Sequence, residues 1–342
     1  MPNDGRAMSA RQFVNDPDEF IPQALEGLRL AHPHLIQVSA DPALVLRTPK
    51  DGDPLKVALV SGGGSGHEPL HTGFVGLGML DAAIPGAVFA SPTAYQIRAG
   101  IKAVDRGRGV LLIVKNYTGD VLNFSIAAEL AREENIEVEI VLVDDDLATD
   151  GGDEGGPGRR GTAAVVAVEK ICGAAAERGA SLSELAELGR RVVASSRTMA
   201  LALRACTHPG QQRPSFDLAD DEVEFGVGIH GERGVGQHPF GPASELVPAL
   251  AQPVVEALGL QRGESVIAIV NGLGSTHALE LAVVHRELSA FLEGVGVRIE
   301  RALVGSYVTA LDMQGCSITL VRCDSTLLEL WNAPVRTPAL AW

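Results

Sequence analysis

Apolar residues in this chain come in short dense runs of strand length, and most of the runs stop abruptly at glycines or polar clusters. Lys56-Val57-Ala58-Leu59-Val60 gives way to Ser61-Gly62-Gly63-Gly64-Ser65-Gly66-His67-Glu68-Pro69. Val110 to Val114 runs into Lys115-Asn116-Tyr117-Thr118-Gly119-Asp120, and Val138 to Val143 into Asp144-Asp145-Asp146. Between the second and third runs, Val121 to Glu134 is amphipathic and reads as a helix. Buried strands feeding polar loops at helix starts predict βαβ units and a largely parallel sheet, with the three polar clusters on one edge. Upstream, Pro17 to Ala31 carries loose helical spacing with Pro22 tolerated in the first turn, and Leu35–Val38 and Ala43–Thr48 read as short extended pieces.

Gly151 to Gly161 is too rich in glycine for regular structure and predicts a mobile loop. Two stretches rich in Ala, Leu and Val follow. Thr162–Arg178 and Ser181–Cys206 read as helices, the second opened by a Ser181/Glu184 capping box. The α/β theme then returns, with strands over Glu224–Gly228, Val266–Val270, Arg298–Val304 and Ser317–Arg322. The helices Ala243–Leu258, carrying Pro248 and Pro253, and His277–Gly294 lie among them. The expected architecture is α/β: two α/β domains with largely parallel or mixed sheets and helices on both faces. A flexible arm (1–15) precedes an N-terminal domain (16–195) and a C-terminal domain (196–342), the boundary falling near the glycine loop or along the second helix.

Composition narrows the function. The chain has 342 residues, 46% of them hydrophobic, which supplies about two domain cores. A formal charge of −15 and only 4% aromatic residues argue against a nucleic-acid partner, since phosphates are repelled and stacking platforms are scarce. Cys172, Cys206, Cys316 and Cys323 show neither zinc spacing nor a paired framework and read as buried small hydrophobes in a reducing compartment. No apolar run approaches 18 residues and the N-terminus lacks a signal-peptide core, so a cytoplasmic protein without membrane attachment is expected.

The polar clusters carry the candidate chemistry. Residues 61–69 fail both nucleotide fingerprints: His67 stands where a P-loop needs Lys, and where a dinucleotide loop needs its third glycine. Backbone N–H groups at a helix start can still bind an anion or a polarised oxygen. The same loop also reads as a plain strand-to-helix turn. Glu224-Phe225-Gly226-Val227-Gly228-Ile229-His230-Gly231-Glu232 sets one imidazole among glycines, suited to touching a small ligand. Taken alone, His230 reads first as a loop histidine bonded to backbone, and its company upstream is what turns the reading toward a ligand contact. Lys115 and Asp120 read alone as a solvated ion pair, and together with His67 and His230 as part of a general-base group. Asp144-Asp145-Asp146 is expected to be an exposed acidic strand end rather than a Mg²⁺ site, and no metal site is assigned.

SGGGSGHEP (61–69), KNYTGD (115–120), GRRG (158–161), EFGVGIHGE (224–232), ALDM (310–313) and APVRTPA (333–339) together resemble the dihydroxyacetone-binding subunit of dihydroxyacetone kinase. The likeness runs in order from about residue 15 to the C-terminus. It implies that His230 forms a covalent hemiaminal with the carbonyl of a bound ketose, that His67 and Asp120 take acid–base roles, and that Gly64, Ser65, Gly66 and Lys115 line the pocket. It also implies a homodimer. No cofactor is expected on this chain. ADP or ATP with Mg²⁺ belongs to a helical nucleotide-binding subunit (DhaL type), which a phosphocarrier (DhaM type) of the phosphoenolpyruvate-dependent system rephosphorylates. No nucleotide module follows Trp342, so a separate substrate-binding subunit is expected.

Three features depart from the family pattern: the extra glycines of 151–161, Arg233, and Gln237-His238. The first leaves open whether that loop is a lid over the pocket, and the other two leave the ketose open between dihydroxyacetone and a four-carbon sugar such as erythrulose. A non-catalytic ketose sensor that docks a regulator is the alternative from another class. A hydrolase reading lacks a G-x-S-x-G elbow.

Overall fold

A computed structural model describes residues 12–50, 52, 54–150 and 158–342. Most of the expected arm and loop, residues 1–11 and 151–157, lies outside them. The first sheet is assembled from β1 (Ile36–Ala40), β2 (Ala43–Arg47), β3 (Ala58–Ser65), β4 (Ala82–Val88), β5 (Val110–Lys115) and β6 (Val138–Val143). Their order is β1-β2-β4-β3-β5-β6; β3 runs parallel to β4 and β5, and β5 parallel to β6. The ends at Ser65, Lys115 and Val143 therefore share one edge, as the strand-and-loop pattern predicts. β4 goes unforeseen because Pro85 and Gly86 inside it read as breakers.

The second sheet holds β7 (Ser196–Arg204), β8 (Glu222–Phe225), β9 (Gly236–Pro239), β10 (Ser265–Gly272), β11 (Arg298–Gly305) and β12 (Gln314–Arg322), in the order β11-β10-β12-β7-β8-β9. It is mixed, and its pairings are antiparallel apart from β10 with β11. One expectation fails here. The helix predicted over Ser181–Cys206 stops at Ala194, and β7 follows at once. Its residues Met199-Ala200-Leu201-Ala202-Leu203 favour a helix locally, but two neighbouring strands pair with them and override that preference.

Alternation within the strands builds five layers. Val60, Leu112 and Val114 face α2 (Ala94–Val104) and α3 (Thr118–Glu133), whereas Leu59, Leu111 and Ile113 face the other way. There they meet α4 (Ala164–Glu177), buried along its whole length from Ala164 to Ala176, which packs with α5 (Leu182–Ala194). Ile267, Ile269 and Val321 of the second sheet join the same core from the opposite side. Val266, Ala268 and Val270 turn instead to α6 (Ala243–Leu258) and α7 (Ala278–Val295). α4 is thus apolar all round because both sheets close on it. Glu169 and Lys170, its two charged residues short of the terminal Glu177, are buried with the rest. α8 (Ser325–Asn332) covers one flank of α4.

The Asp144-Asp145-Asp146 expectation is corrected by burial. Asp145 is fully buried and accepts hydrogen bonds from Thr162 N at 2.6 Å, Thr162 Oγ1 at 2.8 Å, Ala164 N at 3.0 Å and Thr198 Oγ1. Asp146 pairs with Arg160 at 2.7 Å and Asp144 with Arg159 at 3.0 Å. The acidic run is a buttress joining β6, the start of α4 and β7.

Candidate functional site

The end of β3 is where backbone and catalytic candidates come closest. A Cβ on Gly63 would lie 2.6 Å from Lys115 Nζ, and Gly66 sits at φ +103°, where a Cβ would lie 2.7 Å from the Phe89 ring. Only glycine allows these approaches. Phe89 itself is held at φ +54° and Leu311 at φ +55°, strained positions on either side of the loop. His67 follows, fully buried and stacked on Phe89 with ring centroids 5.0 Å apart. Its Nδ1–H donates to the Thr309 carbonyl at 2.7 Å, which leaves Nε2 bare, buried and without a partner among the described residues. Burial, then the charges of His230 and Lys115, hold its pKa well below 6.5. A neutral imidazole with a free lone pair can accept a proton or a hydroxyl hydrogen bond.

His230 comes from the other sheet. β8 ends at Phe225, and Gly226 to Glu232 turns the chain so that the His230 ring meets His67 edge to face at 4.7 Å and Tyr117 at 4.4 Å. Its backbone N–H donates to Glu232 Oε2 at 2.8 Å, and Nδ1 lies 3.5 Å from Glu232 Oε1. Burial pushes Glu232 up, but its hydrogen bond to His230 and that ring's charge outweigh this and bring it to about 2. A carboxylate facing Nδ1 keeps the proton there and leaves the lone pair on Nε2. Arg160 pins the loop by donating to the Gly226 carbonyl at 2.8 Å and to Asp146 at 2.8 Å.

Asp120 lies in the first turn of α3, buried, with its Oδ2 3.7 Å from Lys115 Nζ. Both groups are out of water, so the solvated ion-pair reading does not hold for them. A Cβ on Gly63 would also lie 3.4 Å from Asp120 Oδ2, which places the pair directly behind the glycine loop. Gly64 packs its Cα face on the Phe89-Ala90 backbone, and Ser65 donates its hydroxyl to the Gly86 carbonyl at 2.8 Å, so that side chain is committed to structure. Arg233 and His238 turn onto Phe216 and Phe225. Among the described residues no group of three or more His, Cys, Asp or Glu is arranged to hold a metal, and no helix is long and apolar enough to cross a membrane.

Sequence reasoning missed Phe89, Thr309 and Glu232. Glu232 had a signal, a carboxylate two residues after the histidine. Phe89 had none, because the strand that leads to it was not foreseen, and Thr309 is 242 positions from the histidine it orients.

The Dak1 domain profile matches residues 26–339. The chain belongs to the Dak1 family. This Dak1 chain is 45% identical, over 97% of its length and all of its relative's, to the PTS-dependent dihydroxyacetone kinase 1, dihydroxyacetone-binding subunit DhaK, of Listeria innocua. Among solved structures, the native dihydroxyacetone kinase of C. freundii superposes with a TM-score of 0.87 at 34% identity, covering 97% of this chain and 60% of that one. The dihydroxyacetone kinase operon co-activator Dha-DhaQ superposes at 0.86 and 33%, covering 93% and 96%. The solved structures that resemble this chain therefore include a kinase and an operon co-activator, and the site chemistry has to distinguish them.

Proposed function

We propose that this chain is the substrate-binding subunit of a dihydroxyacetone kinase. His230 Nε2 adds to the ketose carbonyl carbon; the new C–N bond uses the nitrogen lone pair, and the carbonyl π pair moves to oxygen. That oxygen gains a proton from solvent while the His230 Nδ1 proton is released to solvent, so the adduct is a neutral hemiaminal. Addition to C=O excludes glycerol chemically, where hydrogen bonds alone separate such small polyols poorly. It also fixes the terminal hydroxyl in place before transfer. As that hydroxyl oxygen bonds phosphorus, its proton passes to Asp120, with His67 Nε2 accepting a hydrogen bond beside it, and the donor's P–O bond breaks with its electron pair on the leaving group. Gly64, Gly66 and Lys115 line the pocket. The donor is a helical nucleotide-binding subunit carrying ADP or ATP with Mg²⁺, recharged by a phosphocarrier, and the working unit is a homodimer in the cytoplasm.

One observation carries this reading: the His67 ring, its Nε2 bare, meets the His230 ring edge to face with centroids 4.7 Å apart, and a buried Lys115–Asp120 pair lies behind the same glycine loop. The test is ¹³C NMR with carbonyl-labelled dihydroxyacetone. The labelled carbon is expected to move from the ketone to the saturated region on the native chain and not on His230→Gln. Retention of the shifted resonance in His230→Gln would overturn the covalent assignment. The co-activator's structural likeness favours a second reading, a ketose sensor. Formation of the adduct without phosphoryl transfer, in the presence of a nucleotide subunit and carrier, would select it.

A further inference from the structure

Behind Asp120 lies a chain of buried ionisable groups that the reaction as written does not use. Lys115 Nζ donates to His71 Nε2 at 3.0 Å, so the His71 proton sits on Nδ1, which donates to Glu169 Oε1 at 2.6 Å and faces Ser61 Oγ at 3.0 Å. Ser61 spends its own hydroxyl proton on the Ile113 carbonyl at 2.7 Å. Ser61, His71, Lys115 and Glu169 are all essentially inaccessible to water. Glu169 belongs to α4, whose other charged residues are Lys170 and the terminal Glu177, and its Oε2 is buried with no partner among the described residues.

We propose that Glu169, acting through His71, is a second counterion of the Lys115 ammonium, and that its charge sets how readily Asp120 accepts the substrate's hydroxyl proton. This rests on Asp120 being the base. Two carboxylates share one buried ammonium, with a neutral imidazole between. With both ionised, the cluster carries one net negative charge out of water, a costly state that uptake of one proton relieves. With Glu169 protonated, Lys115 and Asp120 already balance, and a proton arriving at Asp120 leaves an unbalanced cation. Ionised Glu169 therefore promotes transfer and protonated Glu169 retards it.

The surroundings support a titrating group. Burial raises Glu169 to about 8, against the opposing pull of Lys115. His71 is held neutral by burial, then by Lys115 and His67. Neighbouring charges are engaged elsewhere: Lys170 donates to the Leu330 carbonyl at 2.9 Å and Arg178 pairs with Glu329. Glu169 is a positioning residue, since it touches no substrate.

The experiment is the pH–rate profile of phosphoryl transfer to dihydroxyacetone by the reconstituted kinase, run for native chain, Glu169→Gln and Asp120→Asn. Native transfer is expected to rise by about fivefold through pH 8 as Glu169 ionises, in line with one unit charge acting across two hydrogen bonds on a half-completed proton transfer. Glu169→Gln should stay on the lower plateau with unchanged KM. Superimposable profiles for native and Glu169→Gln would overturn the proposal. Transfer surviving in Asp120→Asn would instead refute the base assignment, so the two failures are distinct. If Glu169→Gln does not fold, ¹³C NMR of glutamate carboxyls in the native chain decides: one resonance titrating near pH 8 supports the proposal, and none titrating above the ordinary glutamate range refutes it.

Discussion

Replacing Asp145 by Asn keeps the shape of the side chain and removes its charge. The aspartate accepts four hydrogen bonds, from Thr162 N, Thr162 Oγ1, Ala164 N and Thr198 Oγ1, and it donates none. An amide offers one oxygen, so whichever way it is turned its NH₂ faces at least one of these donors. The least harmful orientation keeps three bonds on Oδ1 and leaves the Thr162 N–H opposed by another N–H. One charge-assisted bond is lost and one buried donor is stranded, which costs about 3 kcal/mol, with roughly 2–5 as the range. That is a sizeable part of the total stability of a typical domain, about 5–15 kcal/mol. Urea unfolding followed by far-UV circular dichroism is the assay, and because both sheets share α4 a single transition is expected. Asp144→Asn is the control: its partner Arg159 is partly exposed, and the substitution should cost about 1 kcal/mol or less. A loss below about 1 kcal/mol for Asp145→Asn, or equal losses for the two variants, would refute the buttress argument.

Gly66→Ala should lower ketose affinity by at least about tenfold, because a Cβ at φ +103° is strained and meets the Phe89 ring that positions His67; isothermal titration checks it, and unchanged affinity would mean that the loop accommodates a methyl group. Burial keeps His67 neutral, its pKa well below 6.5, so as pH falls through 6.5 the unfolded imidazole takes up protons that the folded one does not. Stability present above that pH is then lost on acidification. His67→Gln, which cannot titrate, should gain on the native chain in urea as pH drops from about 7.5 to 5, and a constant difference between the two would contradict the assignment.

How much of this was legible in the chain depended on whether the cause was local. β3 and β5 could be read because dense apolar runs end at glycine or lysine, and the His67, Lys115 and Asp120 clusters followed from those ends, while His230 was marked by its own run of glycines. β7 could not, since Ala and Leu favour a helix until β8 and β12 supply partners. The triple aspartate looked exposed because its donors, Thr162 and Thr198, are 17 and 53 residues from Asp145. Glu169 is 98 residues from His71 and sits among alanines and valines, with no cue that a carboxylate there has a buried partner.

α4 has a consequence for how a ligand gets in. The two histidines stand on opposite walls, His67 after a strand of the first sheet and His230 after a strand of the second, and the helix wedged between those sheets grips both. Swinging one wall away from the other would have to drag an apolar rod out of two fitted seats at once. Entry and exit must therefore be the business of the surface segments around the pocket mouth, while the spacing of the walls, with the His230 turn pinned by Arg160, stays fixed through turnover.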